Sequence, residues 1–310
     1  MRLLHSSQVP AATARAEIRL ALETISSGHL REWVQKISVP RHYRAQPQMN
    51  EAIARWLADE LRAWGYDVEL QGSLRNVVAW PRKKASEMVV VGAHYDSVPE
   101  TPGADDNGSA VAALLGCAEA CARMGTDAPV CFAAFNCEED GMWGSAEFVA
   151  NLKMMGRCVR VAHILEMVGF ASTQPGSQRL PTGLPIRIPD RGDFLGILAN
   201  QTSGAHLEFI LGQARAYSPE LSVVGLEVPL GAEQMLPVLA RSDHLPFWNE
   251  NIPAVMWTDT SEFRNPHYHR MSDKPDTLDY AFLQRVTQVL TACVIASAKD
   301  GGSRQFELES

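Results

Sequence analysis

Apolar and polar positions change rhythm along this chain. Between residues 11 and 36, Ile18, Leu20, Leu22, Ile25, Leu30 and Trp33 fall in a helical pattern. A second helix is predicted from about Asn50 to Trp64, stopping at Gly65. Two short strands follow, 66–70 and 76–80, separated by a Gly-Ser turn. From residue 88 the alternation gives way to unbroken apolar runs at 88–94, 130–136 and 159–165. Such runs suit strands buried on both faces. Between them lie helices at Asn107–Met124 and Gly141–Met155. A strand over Asp193–Asn200, a helix over Thr202–Tyr217 and a strand over Leu221–Val228 come next. A strand at 253–258 and a closing helix over Leu278–Ala298 complete the pattern.

Strand–helix alternation of this kind implies an α/β fold. The expected architecture is a three-layer sandwich, a mixed, mostly parallel twisted sheet flanked by helices. Residues 171–192, rich in Pro, Gly, Ser and Arg, and 229–241 read as loops, and loops this long inside a domain tend to be functional or disordered. No repeat or linker interrupts the chain. Residues 1–310 are therefore expected to form one domain, with an N-terminal helical segment at 1–40 and a frayed tail at 301–310.

Composition narrows the partners. Apolar residues make up 46% of the 310 and the formal net charge is -8. A surface of that sign repels nucleic acid and anionic lipid, so neither is expected as a partner. Cys117, Cys121, Cys131, Cys137, Cys158 and Cys293 contain no CxxC pair. They read as buried free thiols of a reducing compartment. The N-terminus lacks the 7–15-residue apolar run of a secretory signal, and no segment approaches the ~18 apolar residues of a membrane span. A cytoplasmic location is expected. Oligomeric state is not encoded in any of these features.

The candidate chemistry sits where predicted strands end, the usual place for the crevice of an open α/β sheet. His94 closes the first buried strand, and Asp96 lies two residues on, on the same side. The Asp96 carboxylate can accept the second ring N–H of His94 and fix its tautomer for a metal; a hydrogen-bonded core histidine would look the same. Gly103-Ala104-Asp105-Asp106-Asn107 suggests a tight turn into a helix, with Asn107 as N-cap. The two aspartates there can equally serve the helix dipole. Glu138 and Glu139 follow an apolar strand, and adjacent residues at a strand end face opposite ways. One can bind a metal while the other addresses a water; a solvated turn is the alternative. Glu166 ends the third buried run, and His267 and His269 flank Tyr268.

Taken in order, His94-Tyr95-Asp96, Gly103-Ala104-Asp105-Asp106, Glu138-Glu139, Glu166-Met167-Val168-Gly169 and Tyr268-His269 resemble the bacterial leucyl aminopeptidase family of zinc peptidases. This is metallopeptidase family twenty-eight, which also contains glutaminyl cyclases. Ser242-Asp243-His244-Leu245-Pro246-Phe247 resembles a further motif of the family. The likeness covers roughly residues 40–298. It implies a fold of the zinc-dependent exopeptidase type and two zinc ions, with cobalt or manganese as substitutes. By the resemblance, Asp105 bridges the two ions, Glu139 and His269 complete one site, and His94 and Glu166 complete the other. Glu138 would be the general base and Asp96 would orient His94. A cis peptide is implied between Asp105 and Asp106. The family often has Asp where this chain has Glu166. The implied activity is that of an aminopeptidase, releasing the N-terminal residue of a peptide with a free amino terminus through a metal-bound hydroxide.

Other readings stay open on sequence. A glutaminyl cyclase uses one zinc and typically carries Trp where this chain has Tyr268. Arg241 and Arg264 can bind a substrate carboxylate, as in a carboxypeptidase or dipeptidase, or form structural ion pairs. A non-catalytic binding protein of the same fold would have lost ligands or base. A two-metal phosphoesterase would need a phosphate-cradling glycine loop, which is not evident. Trp143, Phe247, Trp248 and Trp257 can wall a specificity pocket or pack the core. His244 and His267 read as structural or as supports for the metal-binding groups, and His163, inside a buried strand, as a satisfied core residue.

Overall fold

The computed structural model describes residues 1–300 apart from 82, 84, 126 and 127; the tail expected at 301–310 lies outside the described residues. Its strands are β1 (Arg2–His5), β2 (Asp67–Gln71), β3 (Asn76–Trp80), β4 (Glu87–His94), β5 (Val130–Phe135), β6 (Cys158–Glu166), β7 (Phe194–Asn200), β8 (Ser222–Val228) and β9 (Ala254–Thr258). They form one nine-stranded sheet in the order β1-β8-β7-β9-β6-β4-β5-β3-β2. The apolar runs end up where their lack of alternation places them, in the centre. β5, β4, β6 and β9 run parallel there, as do β7 and β8. The other pairings are antiparallel. The parallel character expected of most of the sheet is thus confined to its centre and to the β7–β8 pair.

The helices are α1 (Ala16–Leu22), α2 (Ser27–Ile37), α3 (Pro47–Ala63), α4 (Ala110–Arg123), α5 (Trp143–Met154), α6 (Gly204–Tyr217), α7 (Ala232–Met235), α8 (His244–Asn249) and α9 (Tyr280–Asp300). Two departures from the sequence reading stand out. The N-terminal segment is not purely helical, because β1 adds an edge strand to β8. The helix expected over 11–36 is two helices: the Ser26 hydroxyl accepts the His29 amide at 3.2 Å and starts α2 afresh. In α2, Leu30, Trp33, Val34 and Ile37 are buried at i, i+3, i+4 and i+7, the stripe a core-facing helix needs.

The core has two layers. Leu30, Leu57, Leu115, Leu211 and Leu290 pack helices against one sheet face. Phe148, Phe247 and Trp248 pack α5 and α8 against Trp80 and Phe135 on the other. Burying each such side chain contributes roughly 1.5–3 kcal/mol. Phe247, Trp248 and Trp257 are therefore core residues, whereas Trp143 is exposed and lies beneath the Arg44 guanidinium. Five of the cysteines are buried free thiols and Cys158 is exposed. No helix among the described residues is long and apolar enough to cross a membrane.

Candidate active site

β4, β5, β6 and β9 all end on the same edge of the sheet, and the chain beyond each end supplies the site. His94 is the last residue of β4, opposite Phe135 on β5. Glu138 and Glu139 follow β5, Glu166 closes β6, and His269 arrives from the loop after β9. Cys137, Met167 and His269 adopt positive φ values of 59°, 50° and 55°. Each such non-glycine residue costs about 1–3 kcal/mol, and such outliers gather at functional sites.

The loop between β4 and α4 provides the central carboxylate. Gly103 (φ +59°) opens a wide turn over Ala104–Ser109, in which Asp106 and Asn107 depart from helical geometry. A Cβ at Gly103 would lie 2.3 Å from the Asp106 carbonyl oxygen. Gly103→Ala should therefore destabilise the fold by about 1–3 kcal/mol. A urea midpoint equal to that of the parent would contradict this. The turn is tied down on three sides. The Asp273 carboxylate accepts the amides of Asp105 (2.9 Å) and Asp106 (3.1 Å). The Asn107 side chain donates to the Leu165 carbonyl and accepts the Met167 amide, at 3.0 and 2.9 Å. The buried Arg41 guanidinium donates to the carbonyls of Pro102 (2.5 Å), Gly103 (2.9 Å) and Tyr95 (2.6 Å). Burial lowers the Arg41 pKa to about 10, against the support of Asp96 and Asp106, so it stays cationic at neutral pH.

These restraints turn Asp106, not Asp105, into the site. Asp105 faces the other way: its carboxylate accepts the Gly169 amide at 3.0 Å and the Asn265 side-chain amide at 2.6 Å. It also hydrogen-bonds Asp259, and burial pushes both carboxyls up. The expectation of Asp105 as the bridging group is corrected accordingly. The cis peptide likewise lies one residue later than expected, between Asp106 and Asn107.

Around Asp106 the donor atoms fall into two groups. His94 Nε2 lies 3.4 Å from Asp106 Oδ1 and 3.4 Å from Glu166 Oε2. His269 Nε2 lies 3.1 Å from Asp106 Oδ2 and 3.3 Å from Glu139 Oε2. Both ring nitrogens of His94, and Asp106 Oδ1, are buried without a hydrogen-bond partner. Two ligands each about 2.0–2.1 Å from a tetrahedral zinc lie roughly 3.3 Å apart, which is the separation found. His94, Asp106 and Glu139 offer donor atoms all within 4.8 Å of one another. Each group of three, sharing Asp106, could hold one cation, and such dense buried carboxylate is costly without one.

Surrounding groups position these donors. Asp96 Oδ1 lies 3.4 Å from His94 Nδ1. Its two oxygens also accept the amides of Glu138 (3.2 Å) and Glu139 (3.3 Å), so one carboxylate sets both the imidazole and the Glu138–Glu139 turn. Ser242 donates to Glu166 Oε2 at 2.7 Å, and the Val98 amide to Glu139 Oε1 at 3.1 Å. Ser145 donates to the buried Asp243 at 2.5 Å. Glu138 Oε2 lies 3.9 Å from His94 Nε2.

The electrostatics follow from burial and crowding. Burial, reinforced by Glu166 and Asp243, pushes the Glu138 carboxyl well above its usual range, against the pull of His94. Burial and then Asp106 raise Glu139 to about 7. Burial opposes ionisation of Asp106 too, but the His269 and His94 rings close to its two oxygens outweigh it and hold Asp106 low. Burial works against the charged form of His269, yet Asp106 and Glu139 raise it to about 10.

The remaining candidates separate cleanly. Arg264 is buried, bonded to Gln178 at 2.9 Å and stacked over Phe194. Arg241 pairs with Glu262 and donates to the Tyr268 hydroxyl at 3.0 Å. His244 binds the Leu239 carbonyl at 2.9 Å and His267 meets Ser272 at 3.0 Å. His163 accepts the Trp257 indole N–H at 3.2 Å, and burial drops its pKa to about 3. Sequence reasoning missed Asp106, Ser242 and Asp273 as site residues. Ser242 and Asp106 did lie inside motifs already noted; Asp273 had no local signal.

Residues 76–294 match the family model described as Peptidase family M28. The chain belongs to that family. It is 32% identical over 306 residues to the uncharacterized protein YfbL of Escherichia coli (strain K12), covering 84% of this chain and 90% of YfbL. It is 28% identical over 221 residues to aminopeptidase YwaD of Bacillus subtilis (strain 168), covering 70% of this chain but only 42% of YwaD. Among solved structures, the LapA aminopeptidase of Legionella pneumophila superposes with a TM-score of 0.73 at 20% identity, over 94% of this chain and 76% of LapA. BSAP, a zinc aminopeptidase from Bacillus subtilis, gives 0.51 at 26% identity, over 72% of this chain and 49% of BSAP. A glutaminyl cyclase of Porphyromonas gingivalis gives 0.66 at 18%, over 89% of this chain and 99% of that one. The M28 fold is thus common to peptidase and cyclase.

Proposed function

We propose that this M28 chain is a co-catalytic zinc aminopeptidase that removes the N-terminal residue of peptides. The observation that carries the reading is the pair of three-donor groups sharing Asp106: His94, Asp106 and Glu166 on one side, His269, Asp106 and Glu139 on the other. Similarity to aminopeptidases YwaD and BSAP, the latter a zinc enzyme, supports the choice of metal and substrate. Zinc bound by these donors would polarise the scissile carbonyl and lower the pKa of water. The protein's own part is to hold the donors and move the proton. Asp96 fixes the His94 ring, Ser242 fixes Glu166, and Asp273 fixes the turn that aims Asp106. Glu138 Oε2 takes the proton from the attacking water and returns it to the leaving nitrogen.

The test is a panel of aminoacyl-nitroanilides, N-acetylated controls and dipeptides, assayed after chelation and again after reloading with Zn²⁺, Co²⁺ or Mn²⁺. Among the aminoacyl-nitroanilides, turnover should vanish on chelation, return with metal and require a free amine. Equal turnover of the N-acetylated controls would overturn the aminopeptidase assignment. Pyroglutamyl product from N-terminal Gln peptides without cleavage would move the chain to the cyclases. Zinc must displace protons held by Glu139 (about 7) and His269 (about 10). Zinc affinity should therefore fall as pH falls through neutrality, with proton release on binding. Calorimetry in buffers of different ionisation enthalpy would show it; binding independent of pH would contradict this donor set.

A further inference from the structure

The sheet face that carries α5 and α8 is roofed differently over β7 and β8. Segments 171–192 and 229–241 cover it there, while α6 packs on the opposite face. Ser172 and Gly192 pair across the neck of the first segment, and Leu184 and Leu236 pack from the two segments into the same apolar cluster. Beneath this roof lies a largely apolar trough of about 160 Å³, open to solvent at its mouth, where Gln178, Arg179, Arg241 and Glu262 add polar groups.

Its shape follows from the strand order. Glu166, Met256, Leu198, Leu226 and Leu3 line it from β6, β9, β7, β8 and β1, which are consecutive neighbours in the sheet. Strands sit about 4.8 Å apart, so four intervals make a trough roughly 19 Å long. One end is the active site, because Glu166 and Ser242 belong to both. At the other end the strand residues that line it are apolar. Gly196, in the middle of the floor, adds no side chain to fill it.

The occupant must be long and must not need hydrogen bonds at the far end. Even long natural side chains reach only roughly 7–8 Å across a sheet, so a single residue leaves more than half the trough empty. A peptide laid along it would bring an N–H and a C=O per residue against apolar walls. An alkyl chain brings neither. An extended chain advances at most about 3.6 Å over three backbone bonds, so the trough takes roughly 15 bonds.

We propose that this protein hydrolyses amides whose acyl half is a long unbranched aliphatic chain, with the chain in the trough and the scissile carbonyl at the active site. The proposal rests on the hydrolase reading above and extends it from aminoacyl to fatty-acyl amides. Water adds across the amide: the C–N bond breaks, a C–O bond forms at the carbonyl carbon, and the products are a fatty carboxylate and a protonated amine.

The experiment uses the full, zinc-loaded chain and a series of N-acyl-alanines from butyryl to palmitoyl, with release of alanine as the readout. kcat/KM should climb roughly two- to fourfold per added methylene and then level off as the trough fills. Leu226→Trp, filling the trough before its far end, should move that plateau to shorter chains; Leu3→Trp should trim only the longest. Equilibrium dialysis of laurate against the metal-free protein should show binding that Leu226→Trp weakens. Flat dependence on chain length, with leucyl-nitroanilide still cleaved, would overturn the proposal and leave the aminopeptidase reading standing. No turnover of either substrate class with zinc bound would overturn both. Should Leu226→Trp lower every chain length equally, Leu3→Trp decides, and a uniform loss there as well counts against the trough.

Discussion

Glu138→Gln should retain its bound metal and lose roughly 10²–10⁴-fold in kcat, the usual share of a general acid–base. The substitution keeps the size and most of the hydrogen-bonding shape of the side chain but removes its capacity to take a proton. Glu138 stands outside both donor groups, and its amide is held by Asp96, so the turn carrying Glu139 should survive. Burial and the neighbouring Glu166 and Asp243 carboxylates raise its proton affinity, the shift a group needs if it is to accept a proton from water and surrender it to an amine. The measurements are kcat on an aminoacyl-nitroanilide and metal content of the same sample. Parental kcat would remove Glu138 from the mechanism. Loss of metal with loss of kcat would instead make it a ligand, which its 3.9 Å approach to His94 makes worth checking.

Much of this arrangement is legible in sequence, for reasons that also explain what is not. The central strands declare themselves because burial on both faces forbids polar alternation, and β4, β5 and β6 are found within about a residue of their expected ends. Once those ends are known, the crevice is known, and His94, Glu138, Glu139 and Glu166 lie on it by position alone. β1 escapes because four residues, Arg2–His5, are too few for a period to show. The break between α1 and α2 escapes because an apolar stripe can continue across a capped turn. Asp273 is invisible for a different reason: its role is to accept two amides 167 and 168 residues away. The cavity is illegible as well, since Leu198, Leu226 and Met256 look like any strand's core face. What makes them line a trough is that segments 171–192 and 229–241 lie above them where a long helix would pack more closely.

Asp106→Asn should abolish metal-dependent turnover, whereas Asp105→Asn should leave the donor set in place and act on folding. The contrast tests which aspartate of the turn the two donor groups share. Asp106 offers one oxygen to each donor group, 3.4 Å from His94 and 3.1 Å from His269. An amide has a single acceptor oxygen, so Asn cannot serve both donor groups and removes a negative charge from between them. A loss of at least the ~10²–10³-fold typical of deleting one electrostatic contact is expected, together with lower zinc content. At position 105 the carboxylate accepts from Gly169 and Asn265 and meets the Asp259 carboxyl, whose pKa burial and Asp105 raise. Asn there keeps one acceptor and turns an N–H₂ toward partners that are mostly donors, a mismatch worth about 1–3 kcal/mol of stability. Urea unfolding and elemental analysis separate the two variants. If Asp105→Asn empties the site while Asp106→Asn keeps its zinc and its turnover, the bridging group is Asp105, and the turn held by Asp273 and Asn107 points the other way.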